Sequence, residues 1–129
     1  MRRTVLVVAT LVTSLAGFTA AAGSAGAVDD TQTCTSVREM ATELNSGING
    51  AKSKDAGAAD EVRSVFSTAA TKLESTRDLA DDGPVKTAID PAVAQMRRVA
   101  TASDTELGTV LQDQAFHDAM SGLDKACGI

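Results

Sequence analysis

Tryptophan and tyrosine are absent from the sequence, and phenylalanine occurs three times. There is one histidine, His117, and there are two cysteines and two prolines. These shortages narrow the chemistry. A zinc centre normally takes three or four protein ligands, often several His or Cys; one imidazole beside one or two carboxylates falls short of that. Cys34 has no nearby His to activate it, and Cys127-Gly128 is not a redox CxxC, so neither reads as a catalytic thiol. No alternation of apolar and polar residues marks a strand, and no segment repeats another. No catalytic, nucleotide, metal or nucleic-acid motif stands out.

What is present begins with an address. Arg2 and Arg3 precede an uncharged stretch from Val5 to about Ala22, followed by Ala25-Gly26-Ala27. A positive start, an apolar centre and small residues at the two positions read by a signal peptidase make a secretory leader over 1–27. Its cleavage motif is Ala25 and Ala27, with Val28 as the first mature residue. A membrane anchor is the competing reading, since the uncharged run skirts the spanning range of about 17–25 residues. Its second half, however, is Ala, Gly, Ser and Thr, which insert weakly. A twin-arginine leader lacks the rest of that signal's pattern, and Phe18 stands where a lipoprotein needs cysteine.

Export changes the charge and the core. The chain carries 17 acidic and 12 basic residues. Loss of Arg2 and Arg3 leaves seventeen acids against ten bases, a formal charge of −7. Such a protein should avoid nucleic acid and anionic membranes, with no stable membrane insertion once the leader is gone. Only Phe66 and Phe116 remain as aromatics, and the other apolar residues are mostly Ala and Val. Full burial of a large apolar side chain contributes about 1.5–3 kcal/mol, so the stability expected of this core is marginal. Two cysteines in an exported chain predict one disulfide. Cys34–Cys127 would close almost the whole domain into one loop, which the chain-entropy model values at about 4.5 kcal/mol. Free thiols, or pairing between chains, are the alternatives.

Apolar spacing gives the elements. Residues 28–32 have no periodicity and are expected to form a mobile tail ahead of a single domain over 33–129. Cys34, Val37, Ala41, Leu44 and Ile48 step by three and four residues, predicting a first helix over about 34–50. Thr33, Thr35 or Ser36 can cap it, and Ser36 with Glu39 fits a capping box. Val62, Phe66, Ala69, Leu73, Thr76 and Ala80 mark a second helix over about 57–80, ended by Asp81-Asp82-Gly83-Pro84. A third, over about 84–101, carries Val85, Ile89, Val93, Met96 and Val99 through Pro91. It is expected either kinked near Asp90 or broken into a short turn and a helix starting at Asp90-Pro91. A fourth starts at a Ser103/Glu106 capping box and runs to Cys127. The expectation is an all-α, up-down-up-down four-helix bundle closed by one disulfide. An even number of antiparallel helices is what brings the start of the first to the end of the last.

Candidate sites are few. His117 lies four residues after Asp113, so a carboxylate–imidazole contact is conceivable, although a solvated helix face accounts for both. Arg63 and Arg77 on one helix and Lys86, Asp90 and Arg97 on the next form two flanks. Facing each other, they would suit a dicarboxylate, an arrangement similar to that of secreted all-α chorismate mutases, whose residue pattern has no residue-by-residue match here. Simple surface ion pairs explain the same residues. Asp81-Asp82-Gly83 lacks the alternating ligands of a calcium loop and reads as a turn. Met40, Phe66, Met96, Phe116 and Met120 could line a space for an apolar ligand, or simply be core.

An Ala-rich leader, a cysteine at the start of the domain and a terminal Ala126-Cys127-Gly128 resemble the small exported helical proteins of actinobacteria. In outline the chain is also similar to haemophore-type haem-binding domains of mycobacteria. That family's Tyr and His-Pro positions have no counterpart, since Tyr is absent and His117 is followed by Asp118. The expectation is therefore a secreted, non-enzymatic binding module with no cofactor. Its partner would be a protein or other cell-envelope component. A carrier of an apolar molecule is the first alternative, and a chorismate-mutase-like enzyme the second.

Overall fold

The computed structural model describes residues 27–129. The leader expected over 1–27, including Ala25 of its cleavage motif, lies outside the described residues except for Ala27. Five α-helices follow, and no strand occurs among the described residues: α1 (Asp30–Lys52), α2 (Ala58–Leu79), α3 (Pro84–Thr101), α4 (Asp104–Gln112) and α5 (Gln114–Ala126). The all-α expectation and the Cys34–Cys127 disulfide both hold. α1 packs on α2, α2 on α3, and α3 on α5, with α4 as the corner between α3 and α5. The disulfide ties the first turns of α1 to the residue that ends α5, with Cα atoms 5.4 Å apart.

The core is centred on α3. Ile89, Ala92, Val93, Met96 and Val99 are buried on α3. They meet Val37 and Met40 of α1, Phe66, Ala69 and Leu73 of α2, Leu107 of α4 and Leu123 of α5. Pro91 sits inside α3 without ending it, so the helix is continuous over the expected 84–101. Buried neighbours at Ile89, Ala92 and Val93 hold the chain helical on both sides of the residue that cannot donate. Pro84 occupies the first turn, where its missing N–H costs nothing.

Three expectations about the helices need correction. First, α1 starts at Asp30, before any of the expected caps. Asp29 is the cap: its carboxylate accepts from the Gln32 N–H at 2.9 Å. The segment expected as a tail over 28–32 is thus structured, because Val28 forms an isolated parallel bridge with Ala80 and the helix begins where that bridge ends. Ser36 and Glu39 lie within α1, and the stripe passes through buried Met40 while Ala41 is exposed. Second, α1 runs past the expected 50 to Lys52 with its glycines inside it. A Cβ on Gly47 would lie 2.7 and 2.8 Å from the two Val65 methyl carbons, so this glycine lets α2 approach closely. Tertiary packing here overrides local propensity.

Third, the expected fourth helix is two helices. Asp113 leaves helical geometry at φ −64°, ψ 135°. Its N–H closes α4 on the Val110 carbonyl at 3.2 Å, and its carboxylate caps α5 on the Ala115 N–H at 3.2 Å. The break re-phases the buried stripe. Leu107, Val110 and Leu111 face inward on α4, and after the break Phe116, Met120, Leu123 and Cys127 do so. Phe116 follows Leu111 by five positions, a step that no continuous helical stripe accommodates. The Ser103/Glu106 capping box is present as expected.

The contrast between glycines can be measured. Gly122, inside α5, has open space where a Cβ would stand. Gly122→Ala should therefore stabilise the domain by about 0.5–1 kcal/mol. Gly47→Ala should destabilise it by up to about 2 kcal/mol, since overpacking costs about 1–3 kcal/mol against a propensity gain near 1. Denaturant unfolding of both variants checks the opposite signs. Reducing the Cys34–Cys127 bond should cost up to about 4–5 kcal/mol, the chain-entropy value for so long a loop; the same titration with reductant reads it.

Candidate functional site

The two flanks expected to face each other do so, but their charges are already paired. Arg77 of α2 donates to Asp90 of α3 at 2.9 Å and to Asp78 at 3.2 Å. Arg97 of α3 donates to Glu74 of α2 at 3.0 and 3.1 Å and to the Thr71 hydroxyl at 3.3 Å. Lys86 pairs with Asp82 at 3.3 Å. Arg63 reaches furthest: it pairs with Asp60, with Asp104 at 2.8 Å, and donates to the Ala102 carbonyl at 3.2 Å. It therefore clips α2 to the corner between α3 and α4. Hydrogen bonds donated to Asp60 and Asp104 push the Arg63 guanidinium further up from its ordinary value, and those donated to Asp90 and Asp78 do the same to Arg77. A dicarboxylate would have to displace a carboxylate from each of these arginines.

His117 is exposed and does not meet the Asp113 side chain as the spacing suggested. Its backbone N–H donates to the Asp113 carbonyl at 3.2 Å, and its ring stands edge-on to Phe116 with centroids 5.9 Å apart. The Asp113 carboxylate is taken up by the Ala115 N–H and by Arg98, whose two terminal nitrogens lie at 3.1 and 3.2 Å. Those two donors hold it below the usual carboxylate range, the backbone N–H contributing most. Asp81-Asp82-Gly83 forms the turn into α3, with Gly83 at φ 156°, ψ −170°. Among the described residues no three His, Cys, Asp or Glu side chains come together to hold a metal ion.

The five candidate ligand-lining residues fall in one apolar cluster. Phe66 and Met96 are almost completely buried, and Met40 nearly so, whereas Phe116 and Met120 pack against the cluster from its margin. Phe66 and Phe116 make an edge-to-face pair with centroids 5.9 Å apart, joining α2 to α5. Met40 also reaches a concave surface. Two adjoining depressions run along the seam of α1 and α2, of about 190 and 320 Å³, and share Met40 and Glu43. The first has an apolar floor of Leu44, Val65 and Ala69 under Ser64 and Thr68. The second is flanked by Glu39 and Ser36 on one wall and Thr71, Lys72, Ser75 and Thr76 on the other, while most of its exposed lining is apolar. Lys72 pairs with Glu43 across the seam where the two meet.

Sequence spacing did not place this groove. Its apolar floor rests on Met40 and Leu44 of α1 and on Val65, whose close approach depends on Gly47. The Thr71, Ser75 and Thr76 hydroxyls donate to carbonyls four residues back, so that wall is polar yet largely satisfied. The groove walls hold no imidazole and no thiol. Such a surface can bind through an apolar floor and a charged rim.

The chain matches no protein family, no curated protein and no solved structure.

The Asp113 cap gives a pH prediction. A carboxylate whose folded pKa is depressed stabilises the fold above its unfolded value, about 3.9, and that contribution is lost as pH falls through the lower folded value. Carboxyl NMR titration should find Asp113 below the usual range. Arg98→Ala should raise it only part of the way, because the Ala115 N–H stays in place. Asp113→Asn should lower the melting temperature less than Asp113→Ala, since Asn retains a capping oxygen.

Proposed function

We propose that the chain is an exported, non-enzymatic binding module that works at the cell surface or outside the cell. In this reading residues 1–27 are removed and the remainder is an up-down four-helix bundle whose last helix is bent at Asp113. The observation that carries it is the Cys34–Cys127 disulfide, a bond that persists in oxidising compartments and braces small domains with modest cores. No described helix is long and apolar enough to cross a membrane. The arginines that suited an enzyme for dicarboxylates are occupied by Asp and Glu, so that reading draws no support from them. The binding face is the α1–α2 groove, with Met40, Leu44 and Val65 as its apolar floor and Glu43 and Lys72 at its rim. The partner is a cell-envelope component.

The same floor favours one other reading, carriage of a small apolar molecule such as a lipid or haem, because it opens directly from the core through Met40. Native mass spectrometry of the exported protein separates the two. The interaction module is expected as a bare monomer, about two daltons lighter than its reduced form, that binds intact producing cells. Lys72→Glu should weaken that binding at least tenfold while leaving the melting temperature nearly unchanged, since an exposed ion pair contributes about 0–1 kcal/mol. Extra mass of a few hundred daltons that leaves on denaturation would establish the carrier instead. Cell binding unaffected by Lys72→Glu would remove the groove from the account.

A further inference from the structure

Val28 is built into the fold through both of its backbone polar groups. Its N–H donates to the Leu79 carbonyl at 2.7 Å, and its carbonyl accepts from the Asp81 N–H at 2.8 Å. The bridge so formed holds buried Ala80 in place at the end of α2. Ala27 lies in a depression beside it whose charged lining is Asp78, Asp81, Asp82 and Lys86. Asp78 already pairs with Arg77, and Asp82 with Lys86. Asp81 has no cation partner among the described residues. On the chain's own side, the Asp29 carboxylate accepts from the Gln32 N–H, and Asp30 lies in the first turn of α1.

The nitrogen that donates to Leu79 belongs to the Ala27–Val28 peptide bond, where the leader is read as being cut. Hydrolysis there adds one water. The Ala27 C–Val28 N bond breaks, Ala27 leaves as a carboxylate on the leader, and the nitrogen stays on Val28 as an α-amino group. Its unperturbed pKa is about 7.7–8.0, so it takes up a proton at neutral pH. An ammonium offers three N–H donors where the amide offered one. One keeps the Leu79 carbonyl; the others, with the new positive charge, require acceptors.

We infer that the corner between α2 and α3 is the receptor for the protein's own processed N-terminus, the Val28 ammonium docking on the Leu79 carbonyl and pairing with the Asp81 carboxylate. The inference rests on the leader reading of the preceding subsection. Its location comes from the backbone bridge, which positions the nitrogen whatever the neighbouring charges. The charge balance then favours a cation: Asp78, Asp81 and Asp82 face it against Lys86 and the more distant Arg77.

The sign of the pH dependence follows. A carboxylate beside an ammonium raises the folded pKa of the amine. The added stability is complete below about 7.7 and is lost as pH rises through the raised value. The full chain, exported through its own leader, provides the test, alone and as Asp81→Asn. Asp55→Asn, in the connection beyond the other end of α1, serves as the charge control. Intact mass is expected to give Val28 as the first residue. NMR titration is expected to place its amine about one unit or more above the free value. Asp81→Asn should return it toward that value and Asp55→Asn should leave it unchanged. The wild-type titration decides the matter even if Asp81→Asn fails to fold. An amine titrating in the ordinary range on a chain that starts at Val28 overturns the docking alone. A different first residue overturns the leader reading, and the docking with it.

Discussion

One covalent tie sets the terms for the rest of this molecule. Cys34 and Cys127 join the beginning of α1 to the end of α5, so that the two outer helices of the chain are held at one end. The core they enclose is short of large side chains, since Phe66 is the only fully buried aromatic among the described residues. Hydrophobic burial scales with apolar area, and a core built largely from Ala and Val supplies little of it per residue. Restricting the unfolded chain compensates from the other side of the equilibrium.

Small residues serve a second purpose once the ends are tied. They let backbones approach closely enough for many weak contacts to accumulate. Gly47 against Val65 is the sharpest case, and Ala69, Ala70 and Ala92 are all buried in the α2–α3 region. Around this core the α2–α3 seam is laced by Arg77–Asp90 and Arg97–Glu74, and Arg63 reaches across to the α4 corner. These pairs are at least partly exposed, so they fix register more than they add stability. They also neutralise the cations that would otherwise look available for a ligand.

Much of the fold was legible because helices announce themselves by period. The stripe from Val62 to Ala80 and the one from Val85 to Val99 lie inward in the structure nearly as spaced, and the Ser103/Glu106 box caps as its pattern requires. The failures have specific causes. Asp29 was hidden because a cap is recognised by the apolar residues that follow, and the first buried position after it is Thr33, a polar residue. Asp113 was hidden because Ala115 and Ala119 continue a plausible stripe, whereas the inner face belongs to Phe116 and Met120. The five-residue step from Leu111 to Phe116 was the available signal. The groove was not legible at all: it depends on how far α1 and α2 stand apart, which is set by Gly47, a residue that by propensity alone only weakens a helix.

The break at Asp113 bears on how the domain opens. α4 is nine residues long and buries Leu107, with Val110 and Leu111 buried in part, so less apolar contact opposes its release than that of α3. Its boundaries are two side-chain caps, Ser103 and Asp113, and both neighbours are anchored: α3 in the core, and α5 by the disulfide at its end. Release of α4 therefore frees an internal loop and leaves the tied ends undisturbed. Stability in a protein is distributed among units that open separately. On that basis the amides of α4 are expected to exchange sooner than those of α3 and of the disulfide-tied ends of α1 and α5.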